Sequence, residues 1–359
     1  MTGEAPPAVA ELLASAVAAR VTPGGVIAVG ASTADSYIVA CGAHSYAADA
    51  AAVSSASVYD LASLTKVLAT LPLALRAATT GELPLNTRVA PLVPGLGVDV
   101  GITVQDLLEH AAGYAAHQPF YQRGAGAAAY RRLIAAERAV YPPRSTHRYS
   151  DLGFILLALL LDDATGVPFA RAFDTLREEI APGAEVTFGV PHSWRHRVVP
   201  TGVDLWRGRV IHGHVHDANA AALGGVAGHA GLFGTAASVG SCARWWLRML
   251  HGDASAAGIT RALVRRAVSR GEVPGSSRGL GWDTMLPTSS CGTRLSPKAF
   301  GHTGFTGTSL WIDPARDLYV VLLTNRIHAA DDPRGIRALR IAVHEAVADA
   351  WDASTHDKS

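Results

Sequence analysis

The sequence predicts an α+β fold: an antiparallel sheet flanked by terminal helices, with a helical lobe inserted into the chain between its strands. Two strand-like stretches, GGVIAVGAS (24–32) and SYIVACGAHS (36–45), stand near the start and are joined by a short turn. Three more stand near the end: GLGWDTM (279–285), TSLWIDP (308–314) and DLYVVLLTN (317–325). Apolar residues at helical spacing dominate the chain between them. Adjacent strands joined by short turns pair antiparallel, and this favours one sheet built from both ends of the chain.

Taken in order, residues 8–20 read as an opening helix that precedes the first strand pair. An apolar helix over about 63–79 follows, with Pro72 expected to kink it and Gly81 to end it. ITVQDLLEH (102–110) is a short helix capped by Thr103, with Asp106 at the capping-box position. Residues 126–139, 151–163 and 168–180 have helical periodicity. The segment 183–234 is rich in Gly, His and Pro and reads as loops with short strands. Helices over 238–250 and 259–270 then lead into the late strands, and a closing helix covers about 333–351. The whole chain, 1–359, is expected to form one unit of two lobes. Its α/β lobe takes about 1–62 and 275–359, and its mainly helical and loop lobe about 63–274, with a cleft between lobes as the place for a site.

The composition bounds the function. The 359 residues are 49% apolar and 17% charged, which fits a globular protein with a large core. A net charge of +1 gives no electrostatic footprint for nucleic acid or for an acidic membrane surface. The three cysteines, Cys41, Cys242 and Cys291, form neither a zinc pattern nor a disulfide framework, so a reducing compartment is expected. The first twenty residues include Glu4 and do not read as a signal peptide. The apolar run FILLALLL (154–161) is too short to span a bilayer and reads as a buried helix. The expected setting is cytoplasmic, with a small-molecule or peptide substrate and no nucleic-acid or membrane partner. Nothing in the sequence addresses oligomeric state.

Three short stretches carry chemistry. The first is YDLASLTKVLAT (59–70), which places one of only three lysines inside an apolar helix. Ser63 and Lys66 share a helix face, and Ser63 sits at the positive end of the helix dipole. Burial among Leu64, Val67 and Leu68 is expected to lower the Lys66 pKa, and a neutral amine beside a hydroxyl can act as its base. A helix cap followed by a snorkelling lysine is the plain structural alternative. The second is HRYSDLGF (147–154), where Tyr149 is either a proton carrier or a core aromatic. Asp151 would cap the helix that follows. The third is FGHTGFTGTSLWIDP (300–314), where glycines permit close backbone approach by a ligand. A strand edge there, together with the Ser63 N–H, could complete an oxyanion hole. His302 taken by itself reads equally well as a structural histidine.

In this order, Ser-x-x-Lys, Tyr-Ser-Asp and His-Thr-Gly resemble the motif set of the class C β-lactamase and penicillin-binding-protein family of serine hydrolases. GELPLNTRV (81–89), ITVQDLLEHAAGY (102–114) and GGVAGHAGLFGTA (224–236) agree with that pattern, so the resemblance runs from about residue 10 to about residue 350. It implies a β-lactamase/DD-peptidase-like fold and no cofactor. It implies Ser63 as the acylated nucleophile, Lys66 as its proton acceptor and Tyr149 as a second acid/base. The N–H groups of Ser63 and Phe305 would form the oxyanion hole, and His302, Thr303 and Gly304 would contact substrate. Two departures matter. Asp151 stands where many members have Asn; a carboxylate only accepts hydrogen bonds and would tend to keep Lys66 charged, moving proton traffic towards Tyr149. His302 stands where many β-lactamases have lysine, and a mostly neutral histidine binds an anion less strongly. The expected activity is therefore hydrolysis of a small ester or a D-amino-acid-containing peptide, of the carboxypeptidase, aminopeptidase or esterase kind. A true β-lactamase and a non-catalytic binding protein are the alternatives.

The segment VIHGHVHDANAAALGGVAGHAG (210–231) holds His212, His214, His216 and His229. Alternate histidines on a strand share a face and could hold zinc, but no acidic ligand or second cluster completes a site, so no metal is expected. The segment also resembles one that recurs in a subgroup of the family; the resemblance implies a place in the cleft lining and makes His216, Asp217, Asn219 and His229 candidates for ordering loops or contacting substrate.

Overall fold

The computed structural model describes residues 3–99, 101–253, 257–328 and 332–356. Both ends of the chain meet in one six-stranded antiparallel sheet. Its order is Asp35–Gly42, Gly24–Gly30, Leu318–Thr324, Ser309–Asp313, Phe300–Thr303 and Asp283–Thr284. Gly25 pairs with Thr324 and Gly30 with Tyr319, so the first strand lies directly against the last. These two strands are buried throughout, and their sequences GGVIAVG and LYVVLLT lack polar alternation because both faces are covered.

On one face, Val9 and Leu13 of the helix Pro7–Ala18 and Ile336, Leu339, Val343 and Val347 of the helix Pro333–His356 pack on Ile27, Val29, Val320 and Leu322. On the other, Val26, Ala28, Val321 and Leu323 join Val239, Ala243 and Trp246 of the helix Ala236–His251, and through them the core of the inserted helices. The helix Asp151–Thr165 runs through that core with Leu152 to Leu161 all buried. Among the described residues no single helix is long and apolar enough to cross a membrane. Asp151–Thr165 and Phe169–Ile180 pass that test only as a pair, bent by 84°.

Three local expectations are corrected. The stretch 279–285 gives a strand only at Asp283–Thr284, because Gly281 turns the chain at φ +76° and Trp282 is committed to the core against Trp246 and Phe300. Phe300–Thr303 is a strand of its own, so four strands follow the insertion. In place of a simple kink, the helix around Pro72 widens to a π turn over Lys66–Thr70 before Leu71–Thr80; Pro72 has no N–H with which to bond the Leu68 carbonyl. The capping box of Thr103 and Asp106 and the left-handed Gly81 that ends the second helix are as the sequence predicts.

Candidate active site

Ser63 lies in the turn between the short strand Tyr59–Asp60 and the helical segment that carries Lys66. Ala62, just before it, has φ +47°, a conformation costly for a residue with a side chain. Asp60 holds that turn. Its carboxylate accepts from the Ala62 N–H at 2.9 Å and from the His216 N–H at 2.7 Å, and its carbonyl accepts from Thr306 Oγ1 at 2.8 Å. One buried acid thereby joins three walls of a cleft of about 820 Å³ that Ser63, Tyr149, Asp151, His216, His229 and Phe305 help to line. Burial pushes the Asp60 carboxyl up to about 6, although both N–H bonds favour its charged form.

One turn beyond Ser63, Lys66 is fully buried. Its Nζ donates to Ser63 Oγ at 3.0 Å, to Asp151 Oδ1 at 2.7 Å and to the His229 carbonyl at 3.3 Å. The expectation of a lowered lysine pKa does not hold. Burial pushes the amine down, but the Asp151 carboxylate, with Tyr149 adding to it, pushes harder the other way and leaves it above the ordinary lysine value. Asp151 is held well below the usual carboxylate range: burial raises it, while Lys66, His117 and His229 together lower it further. The resting pair is therefore ammonium and carboxylate. Asp151 is also not a helix cap. Ser150 occupies that position, its hydroxyl goes to the Ala115 carbonyl at 2.7 Å, and the Asp151 side chain turns to Lys66.

Tyr149 stands over this pair, with its ring centroid 4.7 Å from Lys66 Nζ. It is packed between His110 at 4.6 Å and His302 at 5.9 Å. The Ser150 N–H donates to His110 Nδ1 at 3.0 Å. His302 Nδ1 lies 2.8 Å from the Thr303 carbonyl. A carbonyl can only accept, so Nδ1 of His302 carries the proton and its buried Nε2 presents a lone pair that has no partner among the described residues. Burial, then the nearby charges of Arg278 and Lys66, holds His302 well below the ordinary histidine value, so it is neutral. Thr303 and Gly304 follow it into the cleft lining. Among the described residues the N–H groups of Ser63 and Phe305 donate to no protein acceptor, and both residues line the cleft. The Phe305 loop is fixed from behind, since Arg340 donates to the Gly304 and Thr308 carbonyls at 2.8 Å and Arg326 to the Phe305 carbonyl at 2.9 Å.

The histidine-rich segment divides. His216 and His229 line the cleft; His216 Nδ1 is 3.0 Å from Thr201 Oγ1, and His229 Nε2 is 2.7 Å from Asp217 Oδ1. Asn219 is not a substrate contact. It is fully buried, accepting from the Tyr121 N–H and Tyr130 hydroxyl and donating to the Gln118 carbonyl, so it orders the loop before the helix Gly126–Ala136. His212 is turned away to the Val198 carbonyl. The ligand atoms of Asp151, Asp217 and His229 lie within 4.8 Å of one another, but Lys66 holds Asp151, and Asp217 is bonded to His229 and to the Ala220 N–H. A cation there would have to displace both sets of bonds. Sequence reasoning missed Asp60, His117 and Arg278. Only Asp60 carries a signal, a carboxylate between the apolar residues Tyr59 and Leu61.

A serine and a buried lysine one turn apart, with a tyrosine over them and two unbonded N–H groups on residues lining the same cleft, are an arrangement fit for the chemistry of a serine hydrolase. The chain belongs to the Beta-lactamase family, whose pattern it matches over residues 9–344. It is 29% identical over 310 residues to the "Putative D-alanyl-D-alanine carboxypeptidase" of Escherichia coli (strain K12), covering 76% of this chain and 70% of that protein. Among solved structures, a class C beta lactamase from Rhodobacter sphaeroides superposes with a TM-score of 0.75 at 20% identity, over 96% of this chain and 99% of the other. EstCE1, a hydrolase with promiscuous acyltransferase activity, superposes with a TM-score of 0.73 at 20% identity, over 94% and 97%. At such identity these two structures speak to the fold.

Proposed function

We propose that the protein hydrolyses a small ester or a D-amino-acid-containing peptide through an acyl-enzyme on Ser63. The 3.0 Å bond between Lys66 Nζ and Ser63 Oγ, facing two unused N–H donors, carries this reading. Ser63 Oγ attacks the substrate carbonyl carbon, and the N–H groups of Ser63 and Phe305 take the oxygen as it becomes negative. Because Lys66 rests charged on Asp151, it accepts the serine proton only after losing one to solvent, and it then passes the serine proton on to Tyr149. Tyr149, with its ring against Nζ, is the second carrier and protonates the leaving group. Water then enters the cleft and releases the acid, and Ser63 regains its proton.

The buried, neutral His302 supports the preference for esters and peptides over β-lactams, since it supplies no cation at the position where many β-lactamases have lysine. The name of the Escherichia coli relative favours a D-alanyl peptide among the peptides. No membrane or nucleic-acid surface enters this mechanism, and a cytoplasmic setting with peptide fragments or metabolite esters as substrates suits it. The test is a rate comparison of wild type and Ser63→Ala on p-nitrophenyl esters, D-alanyl-D-alanine peptides and a chromogenic cephalosporin. Ester or peptide turnover that vanishes in Ser63→Ala is expected. Equal rates in the two proteins would refute the hydrolase reading, and cephalosporin as the fastest substrate would make it a β-lactamase.

A further inference from the structure

The hairpin of Val203–Asp204 and Arg209–Val210 borders the catalytic cleft through Asp204. Through Trp206, Arg207 and Arg209 it borders a second cavity, of about 430 Å³. The two cavities share no lining residue among the described residues. Val215 and Phe233, both buried, give the second cavity an apolar wall. Gly189, Gly213, Gly224 and Gly225 also line it, and a Cβ added at any of them would meet nothing within 4 Å, so the space is open. Trp206 is 48% exposed at its edge, and its ring lies 4.9 Å from that of Tyr121, which lines the catalytic cleft. Among the described residues no acid lines this cavity. Arg207 pairs with Asp204 at 2.7 Å, whereas Arg209 and the nearby Arg195 have no ion pair among the described residues. His214, on the cavity wall, is held below the ordinary histidine value by burial and then by Arg209, Arg195, Arg207 and His212. Three guanidinium groups answered by one carboxylate give this wall a positive field, although the chain as a whole carries only +1.

Positive charge beside an exposed indole and an apolar wall selects an organic anion with a flat ring: the ring packs on Trp206 and the anion takes the Arg209 fork. We infer that this cavity is a second binding site, for an aromatic carboxylate or phosphate, and that its occupancy slows catalysis at Ser63. The link runs through Arg207. Its guanidinium donates to Asp204, to the His216 carbonyl and, at 2.9 Å, to the Val215 carbonyl. The His216 N–H in turn donates to Asp60, which accepts from the Ala62 N–H and holds the turn before Ser63. An anion that draws Arg207 towards the cavity weakens the first bonds of this chain, and the nucleophile turn loses its support from behind. The effect on rate rests on the acyl-enzyme reading above; the binding site does not.

The test is binding of 2-naphthoate and of 2-naphthyl phosphate, followed by saturation-transfer NMR, to the protein before and after treatment with a fluorophosphonate. Saturable binding of at least one of the two, unchanged by the treatment, is expected. Arg209→Gln should weaken it by about two- to fivefold, the range of an exposed ion pair, and Trp206→Ala by about two- to tenfold, the range of an aromatic contact. The uncharged naphthalene-2-methanol should bind wild type no better than the anion binds Arg209→Gln. With a p-nitrophenyl ester as substrate, the bound anion should lower kcat by about twofold or more and leave KM little changed. No saturable binding of either anion, or binding equal in wild type, Arg209→Gln and Trp206→Ala, overturns the inference. Binding abolished by the fluorophosphonate, or inhibition that raises KM alone, places the anion in the catalytic cleft and overturns it as well. A filled site that leaves kcat unchanged refutes the effect on catalysis. Predicted binding to a protein that neither turns over the ester nor takes the label would refute the acyl-enzyme reading, and with it the effect on rate, while the site stands.

Discussion

Asp151→Asn tests how the site sets its own pH dependence. The substitution keeps an oxygen that can accept from Lys66 and removes the charge. Lys66 Nζ is fully buried and lies 2.7 Å from an Asp151 carboxylate that is only 18% exposed. At an effective dielectric of about 20, opposite charges about 3 Å apart attract by roughly 5 kcal/mol, and breaking a buried pair costs about 3–5 kcal/mol. At about 1.4 kcal/mol per pH unit, that is a fall of about 2–4 units in the Lys66 pKa. Wild-type Lys66, above its ordinary value of 10.5, would come down towards neutrality. The assay is kcat/KM against pH for a p-nitrophenyl ester. In wild type the rate should climb with pH into the alkaline range, and in Asp151→Asn the same acidic limb should appear about 2–4 units lower. A folded variant whose limb moves by less than half a unit would show that the Lys66 proton does not gate acylation.

Other perturbations address the same frame. Lys66→Arg keeps the charge but not the ability to lose a proton, so acylation measured by p-nitrophenol burst should fall by about 100- to 10,000-fold; retained burst kinetics would remove Lys66 from the proton path. Asp60 titrates near 6 when folded and near the ordinary 3.8 when unfolded, so its contribution to stability is full below the unfolded value and lost as pH rises through the folded one. Holding it ionised at pH 7 costs about 3 kcal/mol. Urea unfolding of wild type should therefore lose about that much more stability between pH 4 and pH 7 than Asp60→Asn does, and parallel curves would contradict the account. In Gly304→Ala the new Cβ would lie 2.8 Å from the Leu61 carbonyl and closer still to Thr308 Oγ1, so the Phe305 N–H must move. A loss of about 100- to 1,000-fold in kcat is expected, as for removal of an oxyanion donor, and an unchanged kcat would remove that N–H from the oxyanion hole.

Much of this site is legible in the sequence because its chemistry is written in local spacings. Ser63 and Lys66 are one helical turn apart, and the His302-Thr303-Gly304 run begins on a strand, so secondary structure alone brings each set into order. The sheet is legible from its uninterrupted apolar strands, which two covered faces require. The balance at Lys66 is not legible: burial and Asp151 act in opposite directions, and 85 residues separate the partners. Asn219 sits in the right segment, yet its side chain is consumed by Tyr121, Tyr130 and Gln118, a fact of packing that periodicity does not encode. Arg278 carries no motif; what distinguishes it is that among the described residues no carboxylate forms an ion pair with its guanidinium, which only the folded cleft reveals. The loss of strand at 279–282 has a similar origin, since the burial of Trp282 outweighs the strand propensity around it.

The central claim is a covalent acyl-enzyme on Ser63, and intact-mass measurement after brief incubation with a p-nitrophenyl ester or a fluorophosphonate tests it most directly. A mass gain of one acyl or phosphonyl group is predicted, mapped by peptide digestion to the segment around Ser63 and absent in Ser63→Ala. Turnover of the ester with no adduct at Ser63, or an adduct that persists in Ser63→Ala, would contradict it.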